Sequence, residues 1–315
     1  MLKKDLIDLA DLSRDDVLEI FSASAKLKKK LKEKNPVDIL KGKTLVMLFE
    51  KPSLRTRVTF EVGMFQLGGI AINLDPSTVK LGVRESIYDA AKNFSRWVNG
   101  IMVRTFSHKK VEELAEYSEV PVINGLTDLL HPCQILTDVF TIIEKFSLNP
   151  ADPDFKGMKV AYVGDGNNVV NSLVQASGLL GFDLSIASPD GYFCGKKILT
   201  SAKILAKTSG AGIEIGTDPY EAVKNADVVY TDVWVSMGKE SEQSKRAKIF
   251  KPFQVNKKLF SRAKKTAFFM HCLPAHRGEE VTDEVIDSPN SIVFDQAENR
   301  LHVQKGILSI LMKDS

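Results

Sequence analysis

Short apolar runs alternate along this chain with longer stretches in which apolar residues recur at helical spacing. Thr44-Leu45-Val46-Met47-Leu48-Phe49 reads as a buried strand. After it, Leu54, Val58, Val62 and Phe65 recur every three or four positions until Gly68-Gly69, predicting a helix capped by Ser53. Ile70-Ala71-Ile72-Asn73-Leu74 is a second strand, so the segment predicts a parallel strand–helix–strand unit with a right-handed crossover. A helix is predicted to begin near Ser86. Gly100–Arg104 and Val120–Gly125 read as strands, and His131-Pro132-Cys133-Gln134 opens a helix continuing through Phe140. Upstream, residues 5–34 read as one or two helices with Ser13 as a cap. The lysine-rich run from Lys26 to Lys34 reads as a solvated helix face, lysine stems lying over apolar neighbours, and not as a nucleic-acid patch.

Ser147-Leu148-Asn149-Pro150-Ala151-Asp152-Pro153 is polar, carries two prolines and marks a domain boundary. Beyond it, strands are predicted at 158–163, 184–187, 212–215, 228–231, 268–270 and 292–294, spaced as in a second doubly wound unit. The expected fold is α/β: two doubly wound α/β domains, each with a mainly parallel sheet, and an active site in the cleft between them. Residues 1–147 form the first domain, with a C-terminal helix at about 297–315 packing back on it; residues 148–296 form the second.

Composition narrows the class. A chain of 315 residues, 43% hydrophobic, can build two cores. A net charge of +3 from 43 basic and 40 acidic residues predicts no nucleic-acid surface. Cys133, Cys194 and Cys272 are odd in number and far apart, with no disulfide framework or zinc spacing, which fits a reducing compartment. Met1–Leu6 carries no signal-type apolar core, and no apolar run reaches the roughly 18 residues of a membrane span. A soluble cytoplasmic protein with no membrane partner is expected.

Candidate chemistry starts at the first strand-to-helix turn. Free backbone N–H groups at a helix start hold anions, and Arg55, Arg57 and the Thr56 hydroxyl add to that cradle. Arginines are unfavourable at a positive helix end unless an anion offsets them. The Ser77–Ser86 loop carries Lys80 and Arg84, which either reach an anion or face solvent. Arg104 stands at the carboxyl end of a strand, where ligands gather in parallel sheets. An Arg104 guanidinium and a His131 imidazole on one carbonyl oxygen would stabilise the oxyanion of acyl transfer. Gly164-Asp165-Gly166 invites a dinucleotide reading, but Val169 occupies the third glycine position of that fingerprint. Asn168 instead looks presented to a polar substrate, with a helix cap the alternative role for it or for Asn167. Asp232, Ser236 and Gly238 suit an ammonium-bearing ligand under a mobile loop, though Asp232 alone also reads as a cap. His271-Cys272-Leu273-Pro274 follows an apolar strand, and an inert buried cysteine is the usual reading of such a residue.

Taken together, Ser53-Leu54-Arg55-Thr56-Arg57, Asp232–Gly238 and His271-Cys272-Leu273-Pro274 resemble the aspartate/ornithine carbamoyltransferase family over nearly the whole chain, and its ornithine branch in the last two motifs. The resemblance implies a carbamoyl-phosphate site of Ser53, Leu54, Arg55, Thr56, Arg57, Lys80, Arg104, His131, Pro132, Cys133, Gln134, Cys272, Leu273 and Arg300. It implies an L-ornithine site of Asn168, Asp232, Ser236 and Met237, with Arg104, His131, Asp232 and Cys272 in catalysis. It further implies no metal or other cofactor, and a homotrimer in which the loop around Lys80 reaches a neighbour's site. Leu54 and Lys80 depart from the threonine and glutamine common in the family. The alternatives carried beside this reading are carbamoyl transfer to another amine such as putrescine or an acylated ornithine, a nicotinamide dehydrogenase, and a non-catalytic phosphate-sensing protein.

Overall fold

The computed structural model describes residues 4–75, 81–236, 238 and 240–315, so Lys80 and Met237 lie outside the described residues. The chain divides into two compact units, Met1–Pro153 with Glu298–Ser315, and Asp154–Ala297.

In the first unit the order is α1 (Arg14–Lys32), β1 (Thr44–Phe49), α2 (Leu54–Gln66), β2 (Ile70–Leu74), α3 (Ile87–Trp97), β3 (Gly100–Arg104), α4 (His108–Tyr117), β4 (Val122–Leu126) and α5 (Pro132–Lys145). Ser13 and Asp16 close a capping box on α1, each side chain bonded to the other's backbone N–H. Ser53 caps α2 as the sequence predicts, and α3 begins where expected, capped by Ser86. The sheet runs β2-β1-β3-β4 with every pairing parallel. Strand order reverses between β1 and β3, so the turns after Phe49 and Arg104 border the crevice where such sheets bind ligands. Val46, Leu48, Ile101 and Val103 pack beneath α3 and α4, and each fully buried side chain of this size contributes about 1.5–3 kcal/mol.

The second unit holds β5 (Lys159–Val163), α6 (Asn168–Leu180), β6 (Asp183–Ala187), α7 (Lys196–Ser209), β7 (Ile213–Gly216), α8 (Pro219–Val223), β8 (Val228–Tyr230), α9 (Gln243–Phe250), α10 (Lys257–Phe260), β9 (Phe268–Met270) and α11 (Asp283–Ile286). Its parallel sheet runs β7-β6-β5-β8-β9. Here the order reverses between β5 and β8. The turns after Val163 and Tyr230 are therefore the second unit's ligand edge. A last helix, α12 (Val293–Leu311), belongs to the first unit from Glu298 onward.

Four sequence expectations are corrected. Residues 5–8 do not extend the first helix: Leu6 pairs with β4, its N–H on Val122 O at 2.9 Å and its carbonyl on Asn124 N–H at 2.8 Å. Ile292-Val293-Phe294 is not a strand. Ser291 makes a single bridge to Phe269, and the helix begins at Val293, its register burying Val293 and leaving Phe294 exposed. Lys28 departs from the solvated lysine face, because it is buried and donates to Glu144 Oε2 at 2.8 Å and Asn299 Oδ1 at 2.7 Å. Finally, the apolar stripe of α2 points outward: Leu54 is 74%, Val58 45% and Phe65 80% exposed, while Thr56, Phe60, Gly63 and Met64 face the core. Lys305, Leu308 and Leu301 of α12 lie against this face at Gly63, at distances where a Cβ would make ordinary contact.

Candidate active site

In the first unit the site grows from the turn after β1. The Ser53 hydroxyl accepts the Thr56 N–H at 3.2 Å, starting α2 with its remaining N–H groups directed outward from the sheet edge. Thr56 is buried, and its Oγ1 accepts from Arg300 Nη2 at 3.0 Å and Arg104 Nη1 at 3.4 Å. Two buried guanidiniums thus meet at a helix N-terminus, a concentration of positive potential suited to a dianion. Arg300 also donates through Nη1 to Gln134 Oε1, and Gln134 Nε2 donates to Asp138 Oδ1 at 2.7 Å. His131 occupies the N-cap position of α5 and makes no side-chain cap bond; Pro132 at the first helical position needs no N–H partner. Burial, then Arg300 and Arg104, hold the His131 imidazole well below its usual pKa, so it is neutral. Burial pushes the Cys133 thiol up to about 12, and its Sγ donates to Asn124 O at 3.4 Å. Cys133 is therefore packing beneath the site.

Arg55 is half-buried. Arg57 is exposed and its Nε pairs with Glu61 Oε1 at 2.9 Å, along the outer face of α2. Leu54 is exposed beside the turn. The structure thus groups Ser53, Thr56, Arg104, His131, Gln134 and Arg300, and sets Arg57 on a different pairing.

In the second unit, Asp232 and Cys272 follow neighbouring strands β8 and β9. Cys272 Sγ donates to Asp232 Oδ1 at 3.1 Å, and Asn167 Nδ2 donates to Asp232 Oδ2 at 2.6 Å. Asn167, not Asn168, caps α6, its Oδ1 accepting from Val169 N and Val170 N; Asn168 is the first residue of the helix and half-buried. Ser236 is half-buried on the same post-β8 turn. Leu273 has a left-handed backbone, φ 57°, held by its N–H on His271 Nδ1 at 2.9 Å. His271 therefore carries its proton on Nε2, which donates to Glu280 Oε1 at 3.2 Å in a fully buried pair.

The glycines after β5 serve another purpose than a pyrophosphate. Gly164 adopts φ +145°, and a Cβ on Gly166 would fall 2.2 Å from the Phe193 carbonyl carbon. Gly166 N–H donates to Tyr192 O at 2.8 Å, so a protein turn fills the space a dinucleotide would need. Buried Arg246 braces the same edge: it pairs with Asp165 Oδ2 at 3.0 Å, donates to Trp234 O at 2.8 Å and lies over the Tyr192 ring.

Sequence reasoning missed Arg246, which sits in a polar run without periodicity, and Lys51, which is buried, paired with Asp128 and 4.3 Å above the Phe106 ring. It also missed Asp138. Among the described residues, no helix is long and apolar enough to cross a membrane, and none of the three cysteines is in a disulfide.

Both units are doubly wound, the first gathering cations at its switch point and the second a carboxylate and a thiol at its own: the class is a two-unit α/β protein built on parallel sheets. The chain belongs to the aspartate/ornithine carbamoyltransferase family: its carbamoyl-phosphate-binding domain matches residues 4–144 and its aspartate/ornithine-binding domain residues 156–311. Ornithine carbamoyltransferase of Syntrophus aciditrophicus is 52% identical over 311 residues, covering 99% of this chain and 100% of that protein. The anabolic ornithine carbamoyltransferase of Pyrococcus furiosus is 52% identical over 309 residues, covering 98% of this chain and 96% of its own. Among solved structures, the ornithine carbamoyltransferase from Pyrococcus furiosus superposes with a TM-score of 0.94 at 52% identity, covering 98% of this chain and 96% of that one. The Thermus thermophilus enzyme gives 0.86 at 43% identity, covering 99% and 100%.

Proposed function

We propose that this chain transfers the carbamoyl group of carbamoyl phosphate to the δ-amine of L-ornithine, giving L-citrulline and phosphate. The observation that carries the reading is the convergence of Arg104 and Arg300 on Thr56 at the start of α2. Ser53, Leu54, Arg55 and Thr56 hold the phosphate through backbone N–H groups, hydroxyls and guanidinium. Lys80 adds to that charge, and Arg57, drawn to Glu61, contributes less directly. Arg104, neutral His131 and Gln134 hold the carbamoyl group, with Pro132 and Cys133 shaping the helix start beneath it. Asn168, Asp232, Ser236 and Met237 hold ornithine, and Cys272 and Leu273 line the place where its amine reacts.

The neutral amine attacks the carbonyl carbon, a tetrahedral intermediate forms, and as the carbon–oxygen bond to phosphate breaks the attacking nitrogen gives up its extra proton to the departing phosphate oxygen. Arg104 and His131 stabilise the oxyanion, and the arginines neutralise charge growing on the leaving phosphate. An alkyl amine has a pKa of about 10, so it must lose a proton before attack. Cys272 and Asp232 select that neutral form. No step calls for a metal or an organic cofactor.

The outward stripe of Leu54, Val58 and Phe65, continued by exposed Ile70 and Ile72 of β2, supports self-association. We assign it to contacts between copies in a homotrimer; Phe65→Glu should then lower the molar mass seen by light scattering. Three cysteines outside any disulfide fit a cytoplasmic enzyme. The test of the activity is turnover of carbamoyl phosphate with a panel of amines.

A further inference from the structure

Asp138 sits fully buried in α5, one helical turn beyond Gln134. Its Oδ1 accepts from Gln134 Nε2 at 2.7 Å, while Arg300 Nη1 donates to Gln134 Oε1. A side-chain amide has two ends of opposite polarity and nearly identical shape, so its orientation is set by its partners. Here both partners demand the same answer. A guanidinium can only donate, so Oε1 must face Arg300; the Asp138 oxygen accepts, so Nε2 must face Asp138. Thr56 Oγ1 takes a second hydrogen bond from Arg300, so the line Asp138–Gln134–Arg300–Thr56 runs from the buried middle of α5 to the start of α2.

We propose that Asp138 is a positioning residue that locks the Gln134 amide in one orientation and thereby sets selectivity for the amino end of a carbamoyl group. This rests on the carbamoyl-phosphate reading above. With both locks engaged, Gln134 keeps one acceptor position on Oε1 and one N–H on Nε2 for a ligand. A carbamoyl group offers the complement, an NH2 that donates and a carbonyl that accepts. An acyl phosphate with a methyl in place of the NH2 leaves the Oε1 position unsatisfied, which costs affinity in a dry site. Released from Asp138, the amide is held by Arg300 alone and can rock about that one contact, so Oε1 and Nε2 no longer meet the ligand's NH2 and carbonyl squarely.

The test is calorimetric titration of the enzyme with carbamoyl phosphate and, separately, with inorganic phosphate, so that it does not depend on ornithine turnover. Asp138→Ala should weaken carbamoyl phosphate about ten-fold, the loss of one buried hydrogen bond to a charged group. Inorganic phosphate, which never meets Gln134, should change by less than about two-fold. In a Gln134→Ala background, Asp138→Ala should add nothing; with Gln134 in place, Asp138→Asn, which keeps an acceptor at Oδ1, should bind to within about two-fold of wild type. Equal losses in both backgrounds, or equal weakening of phosphate and carbamoyl phosphate, would make Asp138 a structural residue and overturn the proposal. Should Asp138→Ala not fold, Asp138→Leu, which fills the space without an acceptor, carries the test: it should weaken carbamoyl phosphate about ten-fold and inorganic phosphate by less than about two-fold. Equal weakening of the two ligands by that variant overturns the proposal. A wild-type protein that takes no carbamoyl phosphate at all would remove the function first and this role with it; wild-type binding unchanged by Asp138→Ala would remove only this role.

Discussion

The Cys272 thiol donates to Asp232 Oδ1 at 3.1 Å across two neighbouring parallel strands. Asn167 holds the other carboxylate oxygen at 2.6 Å, so Asp232 is fixed between an amide and a thiol. A carboxylate so held can draw a proton from an incoming ammonium by way of the sulfur, or hold that ammonium while solvent takes the proton. Cys272→Ala should therefore lower turnover about a hundred-fold at neutral pH, the usual range for a group assisting proton transfer. The loss should shrink as pH rises toward the amine's own pKa of about 10. A pH–rate profile unchanged in shape would remove Cys272 from the proton step.

Thr56 Oγ1 accepts from both Arg104 and Arg300. Thr56→Val keeps the shape and deletes the oxygen. The two guanidiniums then lose their common anchor, and KM for carbamoyl phosphate should rise about ten-fold while KM for ornithine holds. Thr56→Ser should recover most of the affinity. If both Michaelis constants rose together, Thr56 would be acting through folding rather than through the anion site.

Acid should destabilise this protein through two buried histidines. His131 lies well below its ordinary pKa through burial, Arg300 and Arg104. Burial first, then Lys305 and Lys28, lowers His302 to about 3. Each is neutral when folded and binds a proton when unfolded below about pH 6.5, so the unfolded state gains protons as pH falls. The stability they contribute is present above about pH 6.5 and declines below it, by up to about 1.4 kcal/mol per pH unit for each. Urea midpoints at about pH 7.5 and pH 5.5 should differ in that direction, and His302→Leu should flatten the difference. A larger acid loss in His302→Leu than in wild type would contradict the assignment.

Lys28 joins α1 to Glu144 of α5 and Asn299 of α12, all within the first unit. Lys28→Ala leaves the partly buried Glu144 and buried Asn299 short of a donor, at a cost of about 2 kcal/mol. Thermal unfolding should report that loss, while KM for both substrates stays at the wild-type value. A rise in KM without a change in unfolding temperature would mean the network serves the site and not the packing.

How much was legible from the residues follows from which signals are local. Strand runs such as Thr44–Phe49 and caps such as Ser13 and Ser53 are local chemistry, and the structure has them where the sequence predicts. The outward face of α2 was not legible, because helical spacing tells that Leu54, Val58 and Phe65 share a face but not what covers it. Ile292–Phe294 misread for a related reason: a short apolar run fits a strand or a buried helix start equally, and only the single Ser291–Phe269 bridge decides between them. Partners distant in sequence were the hardest. Asp138 and Gln134 read as one more polar pair four residues apart, and Arg246 as one more cation in a polar loop; what gives them their roles is Arg300 on Gln134 and Asp165 on Arg246, contacts that no local pattern encodes.

The most direct measurement is product formation from carbamoyl phosphate with L-ornithine, putrescine and L-aspartate run in parallel. Citrulline from ornithine, with little product from the other two amines, is the expected result. Comparable or greater turnover of putrescine would keep the anion site of Ser53, Thr56, Arg104 and Arg300 and contradict the ornithine roles given to Asn168, Asp232 and Ser236. No product from any amine would contradict the transferase itself.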